Sequence, residues 1–489
     1  MKALAIETSV DQLRLKFPNE KRMLFKDLSV SFNKGEKVLL LGPSGCGKST
    51  LLQALSGLIP STIEVPIKYN EIQVPKSWGF VFQDPDSQFC MPFVDEEIAF
   101  VLENLQVPRS EMKGKISELL NIVGLDLEDI HTEIQTLSGG MKQRLAIASV
   151  LALNPDVLFL DEPTALIDER GTNQIWNTVK EVSKDKTVII VEHKIDQILD
   201  FVDRVIVFDP FGEVIADGNV QHVFSTFKEM LHQYGIWYPG VWERHMLNEK
   251  GKAPKWEPNA IEQTTLTLGH FKGYRKKEVM VSFDQAHVSA GEWIAVIGEN
   301  GAGKSTLLLS LMQLLKTNGN YCIDDKPIKG IKNLQNKAYF VFQNPEYQFV
   351  TNTVYDELAF ALNHQKAEPE YINEKVTELL IAFGLHDKKN HHPYHLSLGQ
   401  KRRLSVATAF IQNPKILLLD EPTFGQDSQN TFRLLNFLKK EQQKGTIIIM
   451  VTHDFNIVNH FATCVWEVRN KIVKEKVLTR NEDVLCRNY

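Results

Sequence analysis

Gly42-Pro43-Ser44-Gly45-Cys46-Gly47-Lys48-Ser49-Thr50 has the spacing G-x-x-x-x-G-K-[ST], a pattern suited to holding phosphate. Glycines let the backbone curl until successive N–H groups face one centre. A helix beginning at the lysine adds unpaired N–H groups and the positive end of its dipole. Lys48 brings a mobile charge to outer phosphates, and the Ser49 hydroxyl is a ligand for Mg²⁺. The pattern returns 256 residues later as Gly298-Glu299-Asn300-Gly301-Ala302-Gly303-Lys304-Ser305-Thr306, so chance is negligible. Other polar groups recur with it. Asp161-Glu162 and Asp420-Glu421 close apolar runs, Gln83 and Gln343 follow aromatic ones, and His193 and His453 end a third pair.

The surrounding elements must place these groups. Lys37-Val38-Leu39-Leu40-Leu41 and Trp293-Ile294-Ala295-Val296-Ile297 read as strands feeding the two loops, and Leu51-Leu52-Gln53-Ala54-Leu55 as a helix opening. Alternation at Leu13–Phe17 and Leu28–Phe32 predicts a β-hairpin, with Phe17-Pro18 at its turn. An aromatic there is placed to stack on a purine; the plainer reading is a hairpin hydrophobe. Pro85 and Pro345 stop the strands that carry Gln83 and Gln343. Gln88 and Gln348 read as caps of the next helix or as partner contacts. Residues 84–136 read as mostly helical, with glycine stops at Gly124 and Gly384. Leu137-Ser138-Gly139-Gly140 opens a helix through Ala152, matched by Leu396-Ser397-Leu398-Gly399.

The offset between twins is 260 at Gln83/Gln343, 259 at Ser138/Ser397 and Asp161/Asp420, and 260 at His193/His453. A near-constant offset marks duplication of a whole domain. The expected organisation is a first domain at 1–227, an irregular linker at 228–260 and a second domain at 261–489. The linker's tryptophans suggest that it packs on a domain.

A chain of 489 residues exceeds one ordinary domain of roughly 150 residues. Its 43% hydrophobic and 24% charged content is that of a soluble globular protein. A net charge of −6 gives no footprint of a nucleic-acid binder. Cys46, Cys90, Cys322, Cys464 and Cys486 form no C-x-x-C pair, which removes zinc and iron–sulfur readings and fits a reducing cytoplasm. His391, His392 and His395 look like a metal cluster only on paper, in a loop-like stretch. The first residues are expected not to be a secretory signal. No apolar run reaches about 18 residues, so the chain is expected not to cross a membrane.

The ordered set resembles the ATP-binding-cassette ATPases, over nearly the whole chain and twice. Its Leu-Ser-Gly-Gly element belongs to no other major phosphate-loop class. Phe82-Gln83-Asp84-Pro85-Asp86-Ser87-Gln88-Phe89 with Asp95-Glu96-Glu97-Ile98-Ala99-Phe100, and its twin at Phe342–Phe349 with Tyr355–Phe360, resembles the energy-coupling-factor (cobalt-type) importers of vitamins or metal ions, in their fused form. The resemblance implies an α/β fold: two tandem phosphate-loop ATPase domains, each a RecA-like core with an antiparallel β subdomain and a helical subdomain. It implies ATP and Mg²⁺. Lys48 and Lys304 would bind outer phosphates within loops 42–50 and 298–306. Ser49, Gln83 and Asp161, and Ser305, Gln343 and Asp420, would serve the metal. Glu162 and Glu421 would be general bases, and His193 and His453 would contact the γ-phosphate. Ser138, Gly139, Gly140, Ser397 and Gly399 would close onto the opposite cassette's nucleotide as the cassettes pair. Phe17 and Tyr274, or Phe271, would stack on adenine. The implied partners are integral membrane subunits, one for energy coupling and one for substrate binding, with no nucleic acid. The implied location is the cytoplasmic face of the membrane.

Departures stand out. Met141 replaces the usual glutamine, Leu398 replaces a glycine, and Ala165-Leu166-Ile167-Asp168 and Phe424-Gly425-Gln426-Asp427 replace a common ending. Leu398 is expected to crowd a backbone that approaches phosphate, making the Lys48 site the slower of two competent sites. Cys46 reads as tolerated variation. A tandem sugar-importer ATPase shares the layout, and a twin-cassette factor acting on ribosome or DNA is a more distant alternative, because such factors carry a long basic insert or zinc cysteines that this chain lacks.

Overall fold

The computed structural model describes residues 5–18, 20, 22–164, 167, 169–249 and 264–477. Most of Ala165–Asp168, much of the linker and Cys486 lie outside them. The chain divides into two compact units: Met1–Val241 with Asp427–Gln429, and Trp242–Gln426 with Asn430–Tyr489.

In the first unit the strand Lys37–Leu41 lies between the parallel strands Thr187–Val191 and Arg204–Phe208. Val157–Asp161 and then Trp78–Val81 continue the sheet on one side, and Val214–Gly218 closes the other in antiparallel fashion. The inner strands are apolar along their length because helices cover both faces of a parallel sheet. Val157–Asp161 is buried at all five positions, and so is Thr187–Val191. Chemistry is therefore confined to the strands' C-terminal ends, where Asp161, Glu162 and His193 emerge. Ile6–Leu15 and Phe25–Asn33 form the expected antiparallel hairpin, to which two short strands, Ile67–Lys68 and Glu71–Gln73, add. Its inward residues Leu13, Leu15, Phe25 and Phe32 join one core with Leu51, Leu52 and Phe159.

The second unit repeats the plan. Trp293–Ile297 lies between Ile447–Val451 and Cys464–Arg469, with Ile416–Asp420 and Ala338–Val341 beyond. Here the antiparallel layer joins the same sheet, because Glu278–Ser289 pairs with Ile472–Val477 through Ser282–Ile472 and Phe283–Val473. The signature helices run over Gly139–Ala152 and Leu398–Phe410, and the helical layers include Val94–Asn104, Arg109–Ile122, Val354–His364 and Pro369–Ala382.

The stretch expected to be irregular at 228–260 is partly helical, at Lys228–Gln233 and Val241–Glu249. Trp242 and His245 stand one helical step apart on one face. His245 stacks on Phe432 at 3.9 Å and Trp242 meets the same ring edge-on at 4.9 Å. Tertiary burial of this short apolar stripe sustains a helix that local periodicity did not announce.

Candidate functional site

Each phosphate loop is a curl of left-handed glycines. Gly45 and Gly47 have φ of 87° and 104°, and Gly301 and Gly303 have 78° and 113°. A Cβ on Gly47 would stand 2.7 Å from the Phe25 ring, and one on Gly303 2.8 Å from the Met280 carbonyl. Glycine is thus required for both conformation and space. Helices Lys48–Leu55 and Lys304–Leu311 start directly from these turns. Lys48 Nζ donates to the carbonyls of Gly42 (2.8 Å) and Pro43 (3.1 Å). Lys304 Nζ does the same with Gly298 (2.8 Å) and Glu299 (3.0 Å). Both ammonium groups are thereby held over the loop's concave side.

The strand ends bring the acidic groups to the loop. The Ser49 hydroxyl donates to Asp161 Oδ1 at 2.9 Å. Glu162 Oε2 accepts from Gln83 Nε2 at 2.8 Å, and its Oε1 lies 3.2 Å from His193 Nε2. Lys48, Ser49, Gln83, Asp161, Glu162 and His193 thus converge. Burial, then the charge of Glu162, pushes the Asp161 carboxyl up to about 7. Burial opposes the charge of Glu162, but His193, with Lys48 and Gln83, overcomes it and holds Glu162 below its ordinary value. Burial likewise opposes the imidazolium of His193, and Glu162 raises it. Each of the two groups thus favours the charged form of the other beside the phosphate loop.

In the second unit His453 Nε2 comes within 3.3 Å of Glu421 Oε1, without hydrogen-bond alignment. Burial, then Glu421, raises Asp420 to about 6. Asp420 Oδ1 is buried and lacks a hydrogen-bond partner. A buried carboxylate oxygen with an unspent lone pair, beside Ser305 and Lys304, fits a hard divalent cation such as Mg²⁺. Gln343 is exposed, and no bond to Glu421 matches that of Gln83 to Glu162 among the described residues.

Other expected groups stand elsewhere. Ser138 and Ser397 cap their own helices, accepting from Met141 N–H at 3.3 Å and Gln400 N–H at 3.4 Å. Neither bonds to the phosphate loop of its own unit among the described residues. Phe17 is 37% exposed just past its strand, and Tyr274 is half-buried. Phe271 is corrected as an adenine platform: it is 1% exposed and packs edge-on against Tyr321 within the core. Gln88 and Gln348 do not cap the helices that follow. Gln88 Nε2 donates to the Ala146 carbonyl (3.0 Å) and Ser149 Oγ (3.2 Å). Gln348 Nε2 donates to the Ser405 carbonyl and Thr408 Oγ1, both at 2.8 Å. They tie the loop after Gln83 or Gln343 to the signature helix. The Leu398 side chain lies near Gly425, where an added Cβ would be 4.0 Å from its Cδ2. His392 accepts from Tyr394 N–H at 3.2 Å, and no metal cluster occurs among the described residues.

Sequence reasoning missed three kinds of support. Glu192 is buried and accepts from Thr164 Oγ1 at 2.8 Å and from the His193 N–H at 2.9 Å, so it sets the loop that presents His193. Glu97 and Glu357 each fold a loop onto a helix start, through Cys90 and Met91 N–H at 2.9 Å, and Val350 (3.0 Å) and Thr351 (2.8 Å) N–H. Arg402 is buried beneath Glu421. Its signal was a charge on the apolar register of a helix, spaced with Ser405, Val406 and Ala409.

A glycine-rich loop on the central strand, with carboxylates at the neighbouring strand end, defines a phosphate-loop nucleotide hydrolase, present twice. The ABC transporter family pattern matches residues 25–165 and 283–424. The chain belongs to the ABC transporter family, as an ATP-binding protein with two tandem cassettes whose ATPase activity is coupled to transport. It is 38% identical to a Bacillus subtilis protein named "Putative HMP/thiamine import ATP-binding protein YkoD", over 94% of this chain and 89% of that one. It is 32% identical to a "Putative ABC transporter ATP-binding protein" of Streptococcus pneumoniae, over 91% and 85%. Another so named, from Methanosarcina acetivorans, is 31% identical over 93% and 83%. No helix among the described residues is long and apolar enough to cross a membrane.

Proposed function

We propose that this chain is the ATP-hydrolysing subunit of an energy-coupling-factor-type importer, with cassettes at 1–227 and 261–489 joined by 228–260. The observation that carries this reading is the twofold convergence of lysine, serine, aspartate, glutamate and histidine around one loop. Lys48 and Lys304 hold the outer phosphates of ATP. Ser49 with Asp161, and Ser305 with Asp420, hold Mg²⁺, which neutralises phosphate charge when bound. Glu162 and Glu421 orient the attacking water and accept its proton, while His193 and His453 keep each carboxylate aimed and face the γ-phosphate. Gln83 and Gln343 contact metal and water and relay to the membrane partner. Phe17 and Tyr274 stack on adenine.

Each ATP site is composite. The Lys48 nucleotide is closed by Ser397 and Gly399, and the Lys304 nucleotide by Ser138, Gly139 and Gly140. ATP binds the paired state more tightly and shifts the population towards it; loss of phosphate releases it. The membrane subunits dock near residues 84–105 and 344–362, placing the chain on the cytoplasmic face. The name of the Bacillus relative supports import of an HMP- or thiamine-like vitamin, selected by a membrane subunit.

The test is affinity purification of the tagged chain from detergent-solubilised membranes of the cells that make it. Copurification from membranes and uptake of a vitamin that fails with Glu162→Gln/Glu421→Gln are expected. A chain that hydrolyses ATP but recovers no membrane subunit would overturn the transport assignment.

A further inference from the structure

Arg402 is 2% exposed, on the inner side of the helix Leu398–Phe410. A buried cation is costly unless its surroundings answer it. Its Nη1 donates to the main-chain carbonyl of Glu421 at 2.9 Å. Its guanidinium lies 5.6 Å from the centroid of the Phe424 ring. The Glu421 carbonyl also accepts the Phe424 N–H at 3.3 Å. The turn from Glu421 to Phe424 is thus held at both ends by one side chain. Glu421, like its twin Glu162 (φ 47°), has a left-handed φ of 50° that residues bearing a Cβ seldom adopt, and only in the second cassette does a buried cation bond the carbonyl of this residue among the described residues.

The first cassette solves the same position differently. Gln143 occupies this helical register, and its Nε2 reaches the carbonyl of Phe82 at 3.4 Å, beside Gln83. Ala165 stands where the second cassette has Phe424. Cation and ring occur together in one copy, amide and methyl in the other. The two copies also differ at the glutamine. Gln83 bonds Glu162 at 2.8 Å, whereas Gln343 is exposed. Beyond the histidine that each carboxylate shares, the first cassette adds a side-chain brace from Gln83 and the second a main-chain brace from Arg402.

We propose that Arg402 is a positioning residue for Glu421: it fixes the turn that aims this carboxylate and replaces the brace that Gln83 gives Glu162. The proposal rests on the reading of Glu421 as general base. The experiment uses the full-length chain carrying Glu162→Gln, so that turnover reports Glu421. Adding Arg402→Gln is expected to lower kcat by about 10-fold to 100-fold, the range for a slightly misplaced reacting group. The ATP concentration for half-saturation and the Kd for a fluorescent ATP analogue stay within about twofold, because no phosphate contact is lost. Arg402→Lys keeps the charge without the fork and gives an intermediate kcat. Phe424→Ala, which leaves the buried cation bonded, gives a smaller fall and adds nothing to Arg402→Gln. It carries the test alone if Arg402→Gln does not fold, and a kcat within about 1.5-fold of the parent then overturns the proposal.

An unchanged kcat in Arg402→Gln overturns it, as does a fall matched by equal losses of ATP affinity and thermal midpoint. Glu421→Gln in the same background separates the two readings. If it abolishes turnover while Arg402→Gln does not alter it, only the positioning role fails. If it leaves turnover intact, the general-base reading fails and takes this proposal with it.

Discussion

Glu162 Oε1 lies 3.2 Å from His193 Nε2, and the carboxylate's other oxygen takes the Gln83 amide at 2.8 Å. Both oxygens are therefore engaged at fixed angles beside Lys48, in a site where Asp161 and Glu162 are both largely buried. Removing the charge while keeping the shape isolates its chemistry. Glu162→Gln or Glu421→Gln is expected to cut hydrolysis at its own site by about 10²–10⁴-fold while ATP still binds. Steady-state phosphate release should fall partially in each single variant and nearly vanish in the double. Undiminished release in both single variants would remove the general-base assignment.

The glutamines divide the sites. Gln83 holds a carboxylate oxygen of Glu162, while Gln343 is exposed. Gln83→Ala leaves Glu162 with one fewer partner and, in a Glu421→Gln background, should lower kcat about 10-fold. Gln343→Ala in a Glu162→Gln background should lower kcat by less than Gln83→Ala does, because contact with metal and water is lost but no bond to the carboxylate is. Equal losses at both positions would show that the glutamines act alike during turnover.

Thiol reactivity reports on the loop. Cys46 is 1% exposed and burial raises its thiol above the ordinary value. Burial also pushes Cys464 up to about 12. Cys90 is exposed. Only the thiolate is nucleophilic, so a raised value means a smaller reactive fraction at a given pH. At pH 8, iodoacetamide followed by peptide mass mapping should label Cys90 well before Cys46 or Cys464. Rapid labelling of Cys46 would mean that the loop opens on the reaction's timescale.

The duplicated strands were legible because a buried parallel strand is a short apolar run with a polar end, as at Val157–Asp161 and Ile416–Asp420. The phosphate loops were legible because glycine, lysine and serine sit at spacings dictated by backbone geometry. What escaped depends on long-range packing. Phe271 alternates like any hairpin residue, and only the assembled core shows that it points inward. The helix Val241–Glu249 escaped because its short apolar stripe becomes helical by packing on Phe432. Gln88 and Gln348 were seen as a motif, but their partners lie 58 and 57 residues along the chain, beyond any local pattern.

The two signature helices begin alike and are capped unequally. Ser397 accepts from Gln400 N–H at 3.4 Å while Gln400 Oε1 accepts from Ser397 N–H at 3.0 Å, a complete capping box. In the first copy Ser138 accepts from Met141 N–H at 3.3 Å, but the Met141 thioether cannot return the bond. Met141→Gln supplies the missing acceptor. An N-terminal cap of this kind is worth about 0.5–2 kcal/mol, and one added bond should fall near the low end. The gain should appear as slower deuterium exchange at the Ser138 amide, by roughly twofold to fivefold. Protection at Ser397 should stay fixed. Because Ser138, Gly139 and Gly140 are assigned to the Lys304 nucleotide, catalysis at the Glu162 carboxylate should change little. Unaltered exchange at Ser138 would mean that solvent already satisfies this amide as well as a side chain can.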